Sequence, residues 1–142
     1  MTLDQAAIRN LVPHAGAMCL LYEVLQADAD SIRARAVSHR DPANPLREHG
    51  VLPALCGVEY AAQAMAVHGA LHDGQRAGGP RPGMLAAVRD VELKVERLDD
   101  IAEDLVIEAH CLLNESGRLL YRFEVRANNR ELLQGRATVV TE

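Results

Sequence analysis

Between Ala54 and Val67 the chain reads ALCGVEYAAQAMAV, a helical segment that is apolar on nearly every side. A helix of that kind belongs in a protein core, because none of its faces favours water. Into it are set one carboxylate, Glu59, and one amide, Gln63, four residues apart and so on the same face about one turn from each other. An unpaired charge buried there is strongly unfavourable, so Glu59 is expected to be paired, neutral or functional.

Covering such a helix needs a wide apolar surface, and the rest of the chain supplies it in period two. Thr2 to Asn10 predicts a short helix capped by Asp4, packed as a lid and stopped by Pro13. Ala17 to Leu25 and Ser31 to Ser38 predict two antiparallel strands around a turn at Asp28-Ala29-Asp30. Pro42, Pro45 and Gly50 make 41–50 a loop, which delivers the chain to a helix starting near Pro53 and ending near Leu71. After a Gly/Pro-rich loop at 77–83, short strand pieces are expected at Met84–Val88 and Val91–Val95. A long strand over 105–113, a turn at 114–117, a strand over 119–127, a turn at Asn128-Asn129 and a last strand through Val139 complete an antiparallel meander. The fold class is α+β, with the helix as core and a curved antiparallel sheet wrapped about it.

At 142 residues without a long linker, this is one domain spanning 1–142. The net charge of −5, with no basic run interleaved with aromatics, argues against nucleic acid or anionic membrane as partner. Cys19, Cys56 and Cys111 are odd in number and far apart, which predicts reduced thiols in a cytoplasmic protein. Neither a signal segment nor an apolar run long enough to span a bilayer is expected.

Two segments carry a family resemblance. LVPHAGAMCLLYEVL at 11–25 resembles the opening strand of the hotdog-fold 3-hydroxyacyl-carrier-protein dehydratases of fatty-acid synthesis, FabA and FabZ. LPALCGVEYAAQ at 52–63 resembles their helix start, matching Pro53, Glu59 and Gln63 in register. The wording LPA-x-x-G-x-E-x-x-A-Q, with PGML further on, is most similar to the divergent ApeP-type proteins of aryl-polyene gene clusters. The resemblance spans nearly the whole chain and implies a single hotdog domain that dimerises. Homodimer and heterodimer with a second hotdog subunit both remain open.

The departures define the question. The family's catalytic histidine stands eight residues before the helix proline, where this chain has Pro45; the nearest histidine, His49, is four before Pro53. The family's glycine after that proline is Ala54. Dehydrating a 3-hydroxyacyl thioester needs a base for the α-proton, an acid for the leaving hydroxyl and a donor for the thioester oxygen. The resemblance implies Glu59 as acid and His49 as candidate base. The N–H groups of Ala54 and Leu55 at the helix start would meet the thioester, and Gln63 is a supporting group. The substrate implied is an acyl thioester on an acyl carrier protein or on CoA, with no cofactor and no metal. Arg76 and Arg81, flanking the Gly/Pro loop, are candidate contacts for an acidic carrier. His14 has a structural reading, His39, His68, His72 and His110 lack ligand spacing, and Cys56 reads as a core thiol. Two rivals stay open: a non-catalytic subunit that stabilises a partner dehydratase, and a hotdog thioesterase using Glu59 on water or the thioester.

Overall fold

A computed structural model of the chain describes residues 2–11, 18–73 and 83–141. His14, Pro13, Arg76, Arg81 and nearly all of the Gly/Pro loop lie outside the described residues. The elements are α1 (Gln5–Leu11), β1 (Glu23–Ala27), β2 (Ser31–Ala36), α2 (Gly57–Asp73), β3 (Gly83–Leu93), β4 (Leu105–Glu115), β5 (Arg118–Ala127) and β6 (Arg130–Thr141). The six strands form one antiparallel sheet in the order β1-β2-β4-β5-β6-β3. The architecture is the α+β arrangement expected from the sequence.

Alternation sets the faces of the sheet. Ile107 and Ala109 of β4, and Tyr121, Phe123 and Val125 of β5, are buried against α2, whose Tyr60, Ala61, Ala64, Met65 and Val67 face them. Close approach needs Gly57: a Cβ there would sit 2.5 Å from Leu133 Cδ2. The meander closes with the turns the sequence predicted. Ser116 and Gly117, at φ 50 and 79, make a two-residue loop between β4 and β5, and Asn128 takes φ 54 between β5 and β6. At the other end Asp4 accepts from the Ala7 N–H at 2.9 Å and caps α1, while Leu3 and Val24 exchange backbone bonds of 3.1 and 2.8 Å.

Three expectations need correction. The first strand is β1 at 23–27, not 17–25. Cys19, Leu20 and Leu21 are buried in succession, and the Leu20 N–H and C=O bond to the side chains of Gln63 and Ser38 rather than to a strand ladder. The two pieces expected after Met84 are one strand, β3, whose register against β6 shifts between Leu85 and Ala87 and between Arg89 and Glu92. Finally, the sheet does not cover α2 completely. Leu55 is exposed in the turn before α2 and Glu59 on its first turn, and the stripe continues at helical spacing through part-buried Ala62, Ala66 and Gly69. Beside that stripe, the edge strand β3 has one side unpaired, with Met84 70% and Leu93 47% exposed.

Candidate active site

A short 3-10 turn, Ala54–Cys56, leads into α2. It is held from beneath by the chain after β3. The Ala54 N–H donates to the Glu96 carbonyl at 3.0 Å, Leu52 and Leu98 pair at 2.8 Å, and the Leu52 N–H donates to Asp99 Oδ1 at 2.8 Å. Arg97 donates to both oxygens of Asp99 and holds that carboxyl at about 2, below its ordinary 3.8. The helix start is therefore fixed by an ion pair that the sequence reading did not single out.

This arrangement sorts the candidate oxyanion donors. The N–H of Ala54 is engaged by Glu96 and that of Cys56 by Pro53 at 3.0 Å. The N–H of Leu55, a residue 57% exposed, has no partner among the described residues. Leu55 thus presents a free donor at a helix N-terminus, where the partial positive field favours developing negative charge.

Glu59 sits in the first turn of α2 and is exposed, so the buried carboxylate expected from the sequence is corrected. The reason is the uncovered stripe: an apolar helix can leave one face open when the residues there are as small as Ala62, Ala66 and Gly69. Gln63 lies one turn on but is 3% exposed and turns to the backbone instead of to Glu59. Its Oε1 accepts from the Leu20 N–H at 2.8 Å and its Nε2 donates to the Met18 carbonyl at 2.5 Å. The same face holds both residues, but not the same place.

His49 stands at an exposed two-residue turn, with φ 53 followed by φ 79 at Gly50, closed by reciprocal Glu48 and Val51 bonds of 2.9 and 3.0 Å. No hydrogen bond or ion pair joins it to Glu59 among the described residues. Pro45, at the family's histidine position, is exposed in a turn. Its neighbour Asn44 is buried, donating from Nδ2 to the Ser38 carbonyl at 2.9 Å and to Tyr60 Oη at 3.0 Å. Ser38 Oγ lies 2.8 Å from Tyr60 Oη and donates to the Leu20 carbonyl at 2.8 Å. Sequence reasoning missed this network. Its signal was a tyrosine inside an apolar helix, whose hydroxyl needs a partner once buried.

The remaining titratable groups have structural environments. His68 Nε2 faces the Asp28 carbonyl at 2.9 Å and so carries the proton, leaving Nδ1 to accept from Tyr121 Oη at 2.7 Å. Burial lowers the pKa of His68 and of His39, whose Nε2 is shared between the Ile101 and Glu103 carbonyls. The Cys56 thiol is pushed up by burial and then by the charge of Glu59, which opposes thiolate chemistry. All three cysteines are free. Among the described residues no cluster of His, Cys, Asp or Glu could hold a metal, and no helix is long and apolar enough to cross a membrane.

Comparison with known proteins places this geometry. No curated protein matches the chain by sequence. Among solved structures, the dehydratase heterocomplex ApeI:P from Xenorhabdus doucetiae is similar over 95% of this chain and 90% of that one, at 24% identity and TM-score 0.84. A thioesterase from Haemophilus influenzae is similar over 100% and 92%, at 14% identity and TM-score 0.69. AziG from S. sahachiroi is similar over 92% and 97%, at 15% identity and TM-score 0.61. These likenesses give the hotdog fold. Residues 6–142 match the ApeP-like family, described as ApeP dehydratase, so the chain belongs to that family and its role is dehydratase-like, as its helix-start wording implied.

Proposed function

We propose that this chain is one subunit of a hotdog dehydratase dimer that removes water from a 3-hydroxyacyl thioester on an acyl carrier protein, in the cytoplasm. The observation that carries the reading is that Glu59, free to react, lies on an uncovered helix stripe beside an unpaired strand edge, with Pro45 where a base would stand. A second hotdog subunit paired along β3 would cover that stripe and supply the base. The similarity to a dehydratase heterocomplex supports a partner of a different kind rather than a second copy.

The residues then divide the reaction. A partner's base takes the proton from C2, the C3–O bond breaks, and Glu59 gives its proton to the leaving hydroxyl to form water. The Leu55 N–H steadies the charge on the thioester oxygen during the step. The product is the 2-enoyl thioester, and the proton held by the base returns to Glu59 through solvent. Covering Glu59 with the partner subunit also excludes bulk water from the reacting groups. Gln63 and the Tyr60 network position the helix without touching the reacting atoms.

The test is Glu59→Gln, assayed for dehydration of a 3-hydroxyacyl carrier substrate in the assembled dimer. A positioned acid is worth about 10²–10⁴-fold, so turnover should fall by that factor. Unchanged turnover would remove Glu59 from the mechanism. A second reading, a scaffold subunit without chemistry of its own, is favoured by His49 being set in an exposed turn instead of beside Glu59. It predicts that same unchanged turnover.

A further inference from the structure

The residues just before Leu55 are tied, one after another, to a single neighbouring segment. Leu52 to Ala54 run antiparallel to Glu96–Leu98, with Pro53 bridged to Arg97. The Leu98 N–H donates to the Leu52 carbonyl at 2.8 Å, and the Ala54 N–H donates to the Glu96 carbonyl at 3.0 Å. Proline has no N–H to give, so the remaining donor of that stretch is the Leu52 N–H. A side chain takes it: Asp99 Oδ1 accepts at 2.8 Å and ends the ladder.

Two features set Asp99 apart from an ordinary surface acid. Its side chain is 6% exposed and Leu52 is fully buried, so water cannot easily replace either partner. Arg97 reaches both of its oxygens, with Nε 3.1 Å from each and Nη2 bonded to Oδ2. A planar guanidinium that grips a carboxylate in this way fixes its direction as well as its place. Arg97 therefore acts twice, through its backbone on Pro53 and through its side chain on Asp99. The neighbouring Asp100 is the contrast: it is 61% exposed, lies 3.9 Å from Arg97 Nε, and has no bond to the helix start among the described residues.

We infer that Asp99 is a positioning residue for the reaction: gripped by Arg97, it sets the place and direction of the Leu55 N–H without touching the substrate. The inference rests on the Leu55 contact proposed above and adds what aims it. Without Asp99 the buried Leu52 N–H is left unpaired, and the stretch must shift to find another acceptor. A reacting geometry displaced by about 1 Å loses on the order of 10²-fold in rate. Because the Leu55 contact strengthens as charge develops on the thioester oxygen, the loss falls on kcat rather than KM.

The experiment reads the thioester carbonyl directly. A 2-enoyl N-acetylcysteamine thioester, carbon-13 labelled at that carbonyl, is bound to the assembled dimer with Glu59→Gln in place to stop turnover, and its infrared band is recorded. A hydrogen bond to the oxygen moves the band down, which a change in fold stability alone does not do. Asp99→Ala should lose most of the downshift, and Asp99→Asn, whose amide oxygen still accepts from Leu52, should keep much of it. Asp100→Ala should leave it unchanged. With Glu59 present, kcat for dehydration should fall about 10–100-fold in Asp99→Ala while KM changes little. Arg97→Ala, at a half-exposed side chain, frees the same carboxyl without opening the core and should lose part of the downshift. A downshift as large in Asp99→Ala as with Asp99 in place, or in Arg97→Ala should alanine at 99 prevent assembly, would overturn the inference. So would an equal loss in Asp100→Ala. No downshift with Asp99 in place would reject the Leu55 contact itself and the inference with it. A downshift that depends on Asp99 without any dehydration would reject the proposed reaction and leave the positioning role standing.

Discussion

Replacing Gln63 by methionine keeps the length and volume of a buried side chain while deleting both of its backbone bonds. The Leu20 N–H, in a residue 1% exposed, loses its acceptor at 2.8 Å. A buried donor left without a partner costs about 1–3 kcal/mol. The Met18 carbonyl loses its donor too, but Met18 is 38% exposed and water can replace the amide. The two together should destabilise the fold by about 2–3 kcal/mol. For a domain of this size that corresponds to a fall of roughly 6–10 °C in melting temperature. Urea and thermal denaturation measure it directly. Because Gln63 contacts the chain before β1 and not Glu59, dehydration by the folded assembly should change little at temperatures well below the transition. A Gln63→Met protein of wild-type stability with strongly reduced turnover would refute this reasoning and make Gln63 a substrate contact.

Gly57→Ala places a methyl 2.5 Å from Leu133 Cδ2, and overpacking of that kind should cost about 1–3 kcal/mol in urea denaturation. Tyr60→Phe removes the hydroxyl shared with Ser38 and Asn44 and should cost about 1–2 kcal/mol in the same measurement, with the loop at 41–50 gaining amide exchange. Asp99 has a folded pKa of about 2 against 3.8, so its contribution is present above 3.8 and is lost as pH falls towards 2. Arg97 is partly exposed, so Asp99→Asn, which removes the charge, should cost about 1–2 kcal/mol at pH 7 and progressively less as acid denaturation is followed downward. Neutral His39 and His68 add an earlier loss in acid: with folded pKa values lowered by burial, their contribution is complete above 6.5 and declines as pH falls through the lowered values.

The fold was legible where one periodicity governed a whole element. The alternation at 119–127 and the turns at Ser116-Gly117 and Asn128-Asn129 gave the meander, and the apolar run after Pro53 gave α2. The stretch before β1 misled because the consecutive buried residues Cys19, Leu20 and Leu21 imitate a strand, while the backbone groups of Leu20 bond to the side chains of Ser38 and Gln63 from distant parts of the chain. Glu59 misled for a related reason. Counting apolar residues makes α2 look buried all round, but alanine and glycine are silent about cover, and the stripe through Ala62, Ala66 and Gly69 stays open in the single chain. Pro53, Glu59 and Gln63 stood out in the sequence by register. Their separate orientations, and the engagement of the Ala54 N–H by Glu96, depend on contacts over long chain separations that no local pattern encodes.

The central claim is that this chain supplies the acid and a second hotdog subunit supplies the base. Dehydration of a 3-hydroxyacyl carrier substrate, measured for the purified chain alone and after mixing with a hotdog subunit that carries the family's histidine, tests it most directly. The account predicts negligible turnover alone, turnover in the mixture, and loss of that turnover when Glu59→Gln replaces the wild-type chain. Full activity of the chain by itself would contradict it.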